Sequence, residues 1–214
     1  SIAKPTIMTA VPRFYQNLYN KINMNFNKLS GLKKWLIFTT ILLGKKKLAK
    51  KKFSIFEILM NLICEIVVRK KIKKQFGGKL KAFVSGGGAL DKNIGEFLNA
   101  VGLPTLQGYG LTEASPVVSC NLPGDIRVET VGPPYKTNKV NIASDGEILV
   151  KGENVMLGYW NKKEETEETI KNGWLYTGDI GEIDKFGYLK ITDRKKDLIV
   201  NLGGDNISPT KLEN

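Results

Sequence analysis

Residue types that can bind a ligand are concentrated at positions 107–113, Gln-Gly-Tyr-Gly-Leu-Thr-Glu. Gly108 and Gly110 have no Cβ, so the backbone there can approach a ligand closely. Tyr109 lies between them and offers an aromatic ring for stacking on a planar group. Apolar residues precede this stretch, so we expect a short buried strand that ends in a loop over residues 107–113.

Two oxygen-bearing side chains follow these glycines. The hydroxyl of Thr112 and the carboxylate of Glu113 are hard oxygen donors of the kind that Mg²⁺ and phosphate contacts require. The same residues also fit an ordinary strand-to-helix turn that Thr112 caps. Taken alone, these two residues leave both interpretations open.

A carboxylate and a guanidinium are predicted to meet at the open end of a β-hairpin. Asp179 and Arg194 are almost equally far from the turn at 184–187, so antiparallel pairing brings them together. The carboxylate can accept hydrogen bonds from two vicinal ribose hydroxyls, and the guanidinium can donate to ribose or phosphate. A plain surface ion pair, worth about 0–1 kcal/mol, also explains the spacing.

A strand–helix–strand unit is predicted to position residues 107–113. It has strands at 80–84 and 104–107, and Asp91 caps the helix between them. Such units pair their strands in parallel, and ligands bind beyond the carboxyl ends of parallel strands. If the two strands are neighbours, the glycine loop at 86–88 and residues 107–113 form two walls of one crevice.

Helices are predicted before this unit. A short apolar strand at 5–11 leads into an amphipathic helix that Pro12 opens. A second helix is predicted over 32–43, a basic link over 45–52 and a third helix over 54–74. The predicted buried side of the third helix consists of Ile55, Ile58, Leu59, Leu62, Ile63, Ile66 and Val67.

The pattern changes from about residue 128, where short strands alternate with turns. This alternation predicts a small β-barrel or sandwich, interrupted by one helix near 163–171. A charged segment at 193–197 then links two β-like stretches, which is where a hinge between modules is expected. A further helix is predicted to begin at Ser208 and Pro209.

Positive charge is concentrated in the first part of the chain. The 214 residues carry a net charge of +12, and residues 1–81 hold 19 Lys and Arg against 2 acidic residues. Residues 28–81 could therefore contact an anionic membrane peripherally. A solvated lysine-rich face, or helices packed on a sheet, explains the same residues. Nucleic acid is not an expected partner, because no recognition motif is visible.

The composition excludes several kinds of site. The chain has no histidine, which removes Ser–His–Asp and Cys–His catalysis and every His-ligated metal site. Cys64 and Cys120 are too few for a disulfide framework or a zinc cluster, so a reducing, cytoplasmic environment is the default. The most apolar run, at 35–43, is too short to span a bilayer.

Four blocks together resemble the AMP-forming acyl-CoA synthetase superfamily of adenylating enzymes, and its long-chain fatty acid–CoA ligase branch most closely. They are residues 85–90, 107–113, 173–179, and 192–199 with 203–209. The resemblance implies an α/β fold in which part of a parallel sheet subdomain precedes a small β-barrel and the start of a mobile α+β domain. The implied boundaries are 1–127 for the first subdomain, 128–192 for the barrel and 193–214 for the hinge and following domain.

The resemblance also implies roles for individual residues. The implied nucleotide-binding residues are Gly87, Gly88, Ala89, Gln107, Gly108, Tyr109, Gly110, Thr112, Asp179 and Arg194. Within this set, Thr112 would contact the α-phosphate, and Asp179 would hold the ribose hydroxyls with help from Arg194. Glu113 would bind Mg²⁺, and Lys196 matches the hinge about which the small C-terminal domain rotates.

The implied activity is ATP-dependent ligation of a long-chain fatty acid to CoA through an acyl-adenylate, with release of AMP and pyrophosphate. Separately, we expect the protein to be cytoplasmic, either free or bound peripherally at the inner face of the membrane. Two alternatives stay open: a related enzyme that passes acyl groups to a carrier protein, and a basic, non-catalytic membrane- or nucleic-acid-binding module. We expect the 214 residues alone to be inactive, because the family's phosphate loop and C-terminal lysine are absent from this sequence.

Overall fold

A computed structural model describes residues 4–197 and the backbone of residues 199–200 and 206–207. The described residues form two compact units, the first running to Gln107 and including Leu122–Val128. The second unit contains Gly108–Asn121 and the described residues from Glu129 onward. The predicted helix start at Ser208 and Pro209 lies outside the described residues. The predicted subdomain boundaries after residues 127 and 192 stay predictions.

The first unit is built on parallel strands. β1 (Ile7–Ala10) pairs with β2 (Ala82–Ser85), and β2 pairs with the first half of β3 (Thr105–Gly110), both in parallel. α5 (Lys92–Ala100) connects β2 to β3, and the carboxylate of Asp91 accepts a hydrogen bond from a backbone N–H in its first turn. The predicted strand–helix–strand unit is therefore confirmed.

Helices cover this sheet and enclose the first hydrophobic core. α1 (Pro12–Asn27) and α2 (Gly31–Leu48) precede α3 (Ile55–Cys64), which continues through a π-helical turn, Glu65–Arg69, into α4 (Lys70–Gln75). α3 begins with a capping box, which satisfies two backbone donors at its amino end. The largest fully buried apolar side chains of this core are Tyr15, Phe83, Leu98, Val101 and Leu103.

Two details of the predicted helices are wrong. Lys45, Lys46 and Lys47 belong to α2 rather than to a link, because lysine is a good helix former and cations are favoured in a last turn. The predicted buried side of the third helix is exposed, with Ile55 89% exposed, whereas Val68 is buried. Periodicity identifies an apolar stripe but not what covers it.

Arg69 is a buried cation that joins three helices of the first unit. Its guanidinium donates to the backbone oxygens of Thr40 in α2 and Ala100 in α5, at 3.1 and 2.9 Å. A third donor reaches the side-chain oxygen of Asn61 in α3 at 2.8 Å. Arginine suits this position because its donors are fixed in one plane and stay charged.

The second unit is mostly antiparallel. Its strands are β4 (Val117–Cys120), β5 (Asn138–Ile142), β6 (Glu147–Gly152), β7 (Ile170–Lys171), β8 (Trp174–Ile183) and β9 (Leu189–Arg194), with α6 (Lys163–Thr169) before β7. Strands β5, β6, β8 and β7 lie in that order, and β9 pairs with β8. The mixed α/β fold with a separate antiparallel part is confirmed.

The second unit has its own hydrophobic core, which β6, β8 and β9 provide together with the segment from β3 to β4. Its fully buried side chains include Ile148, Val150, Leu175 and Leu189. Among the described residues, none of the helices has the length and apolar character needed to cross a membrane.

We expect Arg69→Met to destabilise the protein by at least about 3 kcal/mol, because two buried carbonyl groups and the Asn61 amide lose a charged donor. Chemical denaturation of the full-length protein measures the effect. Lys70→Met is the matched control, since Lys70 is adjacent but exposed. Equal stability of the two variants would contradict this role for Arg69.

Candidate functional site

Residues 107–113 form a strand and a turn rather than a loop that leads into a helix. β3 extends to Gly110, and its second half pairs with β4 in the second unit. A short 3₁₀ turn, Thr112–Ala114, connects the two strands. A Cβ at Gly110 would overlap the backbone carbonyl of Pro116, so glycine is required there for close approach of the backbone.

Tyr109 points its hydroxyl at a carboxylate instead of presenting a free ring. The ring is buried in the second core, and the hydroxyl donates to Oδ2 of Asp179 at 2.6 Å. Burial, followed by the hydrogen bond to Asp179, raises the pKa of Tyr109 well above its usual range. Tyr109 therefore stays a neutral donor that orients the carboxylate.

Asp179 and Arg194 meet as the hairpin spacing predicts. They are directly paired in the β8–β9 ladder, and Nε of Arg194 lies 3.5 Å from Oδ1 of Asp179. The Asp179 side chain is only 16% exposed, whereas that of Arg194 is 65% exposed. The carboxylate is therefore fixed from the protein side, while the guanidinium can still reach a ligand from the solvent side.

Glu113 is also held by a tyrosine. The hydroxyl of Tyr159 donates to Oε1 of Glu113 at 2.8 Å, and the backbone oxygen of Glu113 accepts from the N–H of Met156. The hydrogen bond to Glu113 raises the pKa of Tyr159. The first contact orients the carboxylate and the second holds the backbone of Glu113. Thr112 beside it is exposed.

A cavity of about 660 Å³ opens in the second unit beside these groups. Glu113, Arg194 and Lys196 are among the residues that line it, whereas Thr112 and Asp179 are not. Both signs of charge contribute to its wall, which suits a polar ligand that carries phosphate groups. Lys196 is exposed in a 3₁₀ turn, Lys195–Asp197, directly after β9.

Four predicted residues belong to the first unit. Gly87, Gly88 and Ala89 are exposed in the loop after β2. The side-chain amide of Gln107 accepts from the N–H of Leu90 at 3.1 Å and donates to the backbone oxygen of Val128. Gln107 therefore fixes the end of the glycine loop, while a nucleotide contact by any of the four stays a prediction.

Sequence reasoning missed two side chains that organise the second unit. Tyr159 lies in a Gly-Tyr-Trp sequence far from Glu113 along the chain. Its aromatic character alone does not indicate that it contacts Glu113. Glu147 directly follows the turn between β5 and β6, where a solvated carboxylate is the ordinary expectation. It is instead buried, with both oxygens hydrogen-bonded.

The model of one protein family, the AMP-binding enzymes, matches residues 2–160 of this chain. The chain belongs to the AMP-binding enzyme family. The match covers β3, the Thr112–Ala114 turn and Tyr159. It therefore includes the segment that holds the predicted phosphate and Mg²⁺ ligands, and it ends before Asp179 and Arg194.

Curated relatives of this AMP-binding enzyme carry names of CoA ligases. A long-chain-fatty-acid–CoA ligase, FadD15, from Mycobacterium bovis is 35% identical over 100% of this chain and 36% of the relative. Long-chain-fatty-acid–CoA ligase 1 from Cavia porcellus is 34% identical over 99% of this chain and 31% of the relative. The chain thus spans about a third of the length of these curated relatives.

A solved structure of similar fold is O-succinylbenzoate coenzyme A synthetase from Bacillus subtilis, in complex with ATP and a magnesium ion. It matches with a TM-score of 0.66 and 25% identity, over 98% of this chain and 36% of that chain. The mixed α/β architecture of this AMP-binding enzyme is therefore also that of a protein solved with ATP.

Tyr109→Phe tests the contact on which the geometry of Asp179 depends. We expect a loss of about 1.5–3 kcal/mol in stability, because a partly buried carboxylate loses a hydrogen bond made to its charged form. Tyr176→Phe in β8 is the control, since its ring retains the contact with Lys171. Thermal unfolding of the full-length variants measures both, and equal shifts would argue against the Tyr109–Asp179 bond.

Proposed function

We propose that the full-length protein joins a long-chain fatty acid to CoA through an acyl-adenylate, with release of AMP and pyrophosphate. The observation that carries this proposal is Asp179, a mostly buried carboxylate fixed by Tyr109 and faced by the exposed guanidinium of Arg194. Such a carboxylate can accept both ribose hydroxyls of a nucleotide. The names of relatives at 34–35% identity support the fatty acid and CoA as substrates.

Glu113 is the proposed ligand for Mg²⁺. Tyr159 binds Oε1, and Oε2 has no partner among the described residues, so one hard oxygen is oriented and available. Mg²⁺ is commonly held by one or two carboxylates together with substrate phosphates, so this arrangement fits the ion. When bound, the ion neutralises negative charge on the phosphates.

The chemistry requires positioning more than proton transfer. A fatty carboxylate is ionised at neutral pH, so it can attack the α-phosphorus of ATP without a general base while pyrophosphate leaves. The thiol of CoA then attacks the acyl carbon and loses its proton, and AMP is released. Thr112, exposed beside Glu113, is the proposed contact for the α-phosphate.

Lys196 is the proposed hinge about which the following part of the chain rotates between adenylation and thioester formation. It lies in the turn that follows β9, two residues after the Arg194 that faces Asp179. Rotation of the chain after this point would leave the ribose contacts unchanged while it exchanges the groups that approach the phosphate and the thiol. Gly108 and Gly110 belong to the same proposed nucleotide site, and the nucleotide contacts of Gly87, Gly88, Ala89 and Gln107 stay predictions.

Peripheral contact with an anionic membrane through residues 28–81 stays a prediction. The exposed apolar side chains of α3, with lysines before and after them, favour such contact. Other parts of the longer protein could cover the same side chains.

We expect Glu113→Ala in the full-length enzyme to lower fatty-acid-dependent ATP–pyrophosphate exchange at least about 100-fold, because an oriented charge partner for the phosphates is lost. Tyr159→Phe keeps the carboxylate but removes its orienting hydrogen bond. It should raise the Mg²⁺ concentration needed for half-maximal exchange while saturated exchange largely recovers. Unchanged exchange in Glu113→Ala would refute the role of Glu113.

The acceptor is tested separately. Wild-type enzyme is given ATP and palmitate with either CoA or a phosphopantetheinylated carrier protein, and thioester products are identified by mass spectrometry. The proposal predicts the CoA thioester. A product on the carrier alone would move the protein to the alternative class of adenylating enzymes.

A further inference from the structure

Glu147 is a buried carboxylate whose two oxygens serve different strands. It lies at the start of β6, and its side chain is 6% exposed. Oε1 accepts the backbone N–H of Gly178 in β8 at 2.8 Å. Oε2 accepts Nζ of Lys195, directly after β9, at 2.8 Å. A carboxylate removed from water in this way is stable only when it is paired.

The two partners of Glu147 are the chain neighbours of the proposed ribose-binding pair. Gly178 precedes Asp179, and Lys195 follows Arg194. Gly178 has a φ of 72°, a left-handed conformation that glycine adopts without strain. The hydrogen bond to Glu147 therefore fixes this left-handed backbone conformation immediately before Asp179.

The local strand geometry is adapted to this contact. The β6–β8 register shifts between Glu147 and Leu149, and the β8–β9 register shifts between Ile180 and Gly181. Bulges of this kind redirect side chains and are common beside active sites. Glu147 is buried beside the first of these irregularities, and the second follows Asp179 within two residues along β8.

Asp145 provides an internal comparison. Its Oδ2 also lies 2.8 Å from Nζ of Lys195, but its side chain is 51% exposed. The bond to Lys195 lowers the pKa of Asp145. Among the described residues Asp145 makes no bond to Gly178; its Oδ1 accepts the backbone N–H of Glu147 at 3.1 Å, and its bond to Lys195 is screened by solvent.

We propose that Glu147 is a positioning residue for nucleotide binding, which fixes the backbone on both sides of the Asp179–Arg194 pair through Gly178 and Lys195. This inference rests on the proposed function, because it assumes that Asp179 and Arg194 hold the ribose. Glu147 lies in the wall of the cavity but is almost fully buried, so its proposed action is indirect. It sets the distance between Asp179 and Arg194, the two groups proposed to hold the ribose.

The test compares AMP with 2′,3′-dideoxy-AMP by titration calorimetry on the full-length enzyme. Glu147→Gln keeps an acceptor for Gly178 but loses the buried one of the two charges that hold Lys195, so we expect affinity for AMP to fall about tenfold. Affinity for the dideoxy nucleotide should change less than about twofold, because the effect acts through the ribose hydroxyls. A merely structural role would lower both affinities equally and would overturn the inference.

Lys195→Met is the second variant; because it leaves buried Glu147 without its cation, thermal unfolding of this variant and of Glu147→Gln is measured beside the affinities. Lys195→Met should reproduce the tenfold loss, and the double variant should be no worse than Lys195→Met alone, because that change already removes the Glu147–Lys195 contact together with the exposed one to Asp145. Asp145→Asn is the matched control and should change AMP affinity less than about twofold. Independent, additive losses would contradict a shared contact.

The outcomes separate this inference from the proposed function. If the wild-type enzyme prefers AMP to the dideoxy nucleotide and Glu147→Gln keeps that preference, only the role of Glu147 is refuted. If the wild-type enzyme does not distinguish the two nucleotides, the ribose role of Asp179 and this inference both fail.

Discussion

The hydrogen bond from Tyr109 to Asp179 is the contact on which the organisation of the second unit depends. It joins β3 to β8 across 70 positions of sequence and brings a carboxylate to the edge of a buried core. A carboxylate in that position loses water contacts and needs a donor that stays protonated. Because burial and Asp179 raise the pKa of Tyr109, the donor keeps its proton at every physiological pH.

Two other carboxylates of the second unit are also held by hydrogen-bond donors. Tyr159 orients Glu113, and Glu147 is held by a backbone N–H and by Lys195. Each carboxylate therefore stands in a fixed direction, as expected for a site that binds ribose hydroxyls and a phosphate-bound ion. The proposed adenylation needs no histidine, because alignment and charge neutralisation would supply most of its rate enhancement.

The sequence predicts those parts of the fold that depend on local signals. Pro12, Asp91 and the turn at 184–187 place helix starts and a hairpin, and the hairpin fixes the pairing of Asp179 with Arg194. The burial of Arg69 is not predictable in the same way. Its partners come from three helices, and in the sequence it lies among lysines that remain solvated.

Crystallography of the full-length enzyme with AMP tests the central claim most directly, namely that Asp179 holds the ribose. The 2′- and 3′-oxygens are each expected about 2.6–3.2 Å from the Asp179 carboxylate, with Tyr109 still bound to it. Arg194 should lie within hydrogen-bonding distance of the ribose or the phosphate. Ribose hydroxyls that face solvent, or that are held by other side chains, would contradict the account.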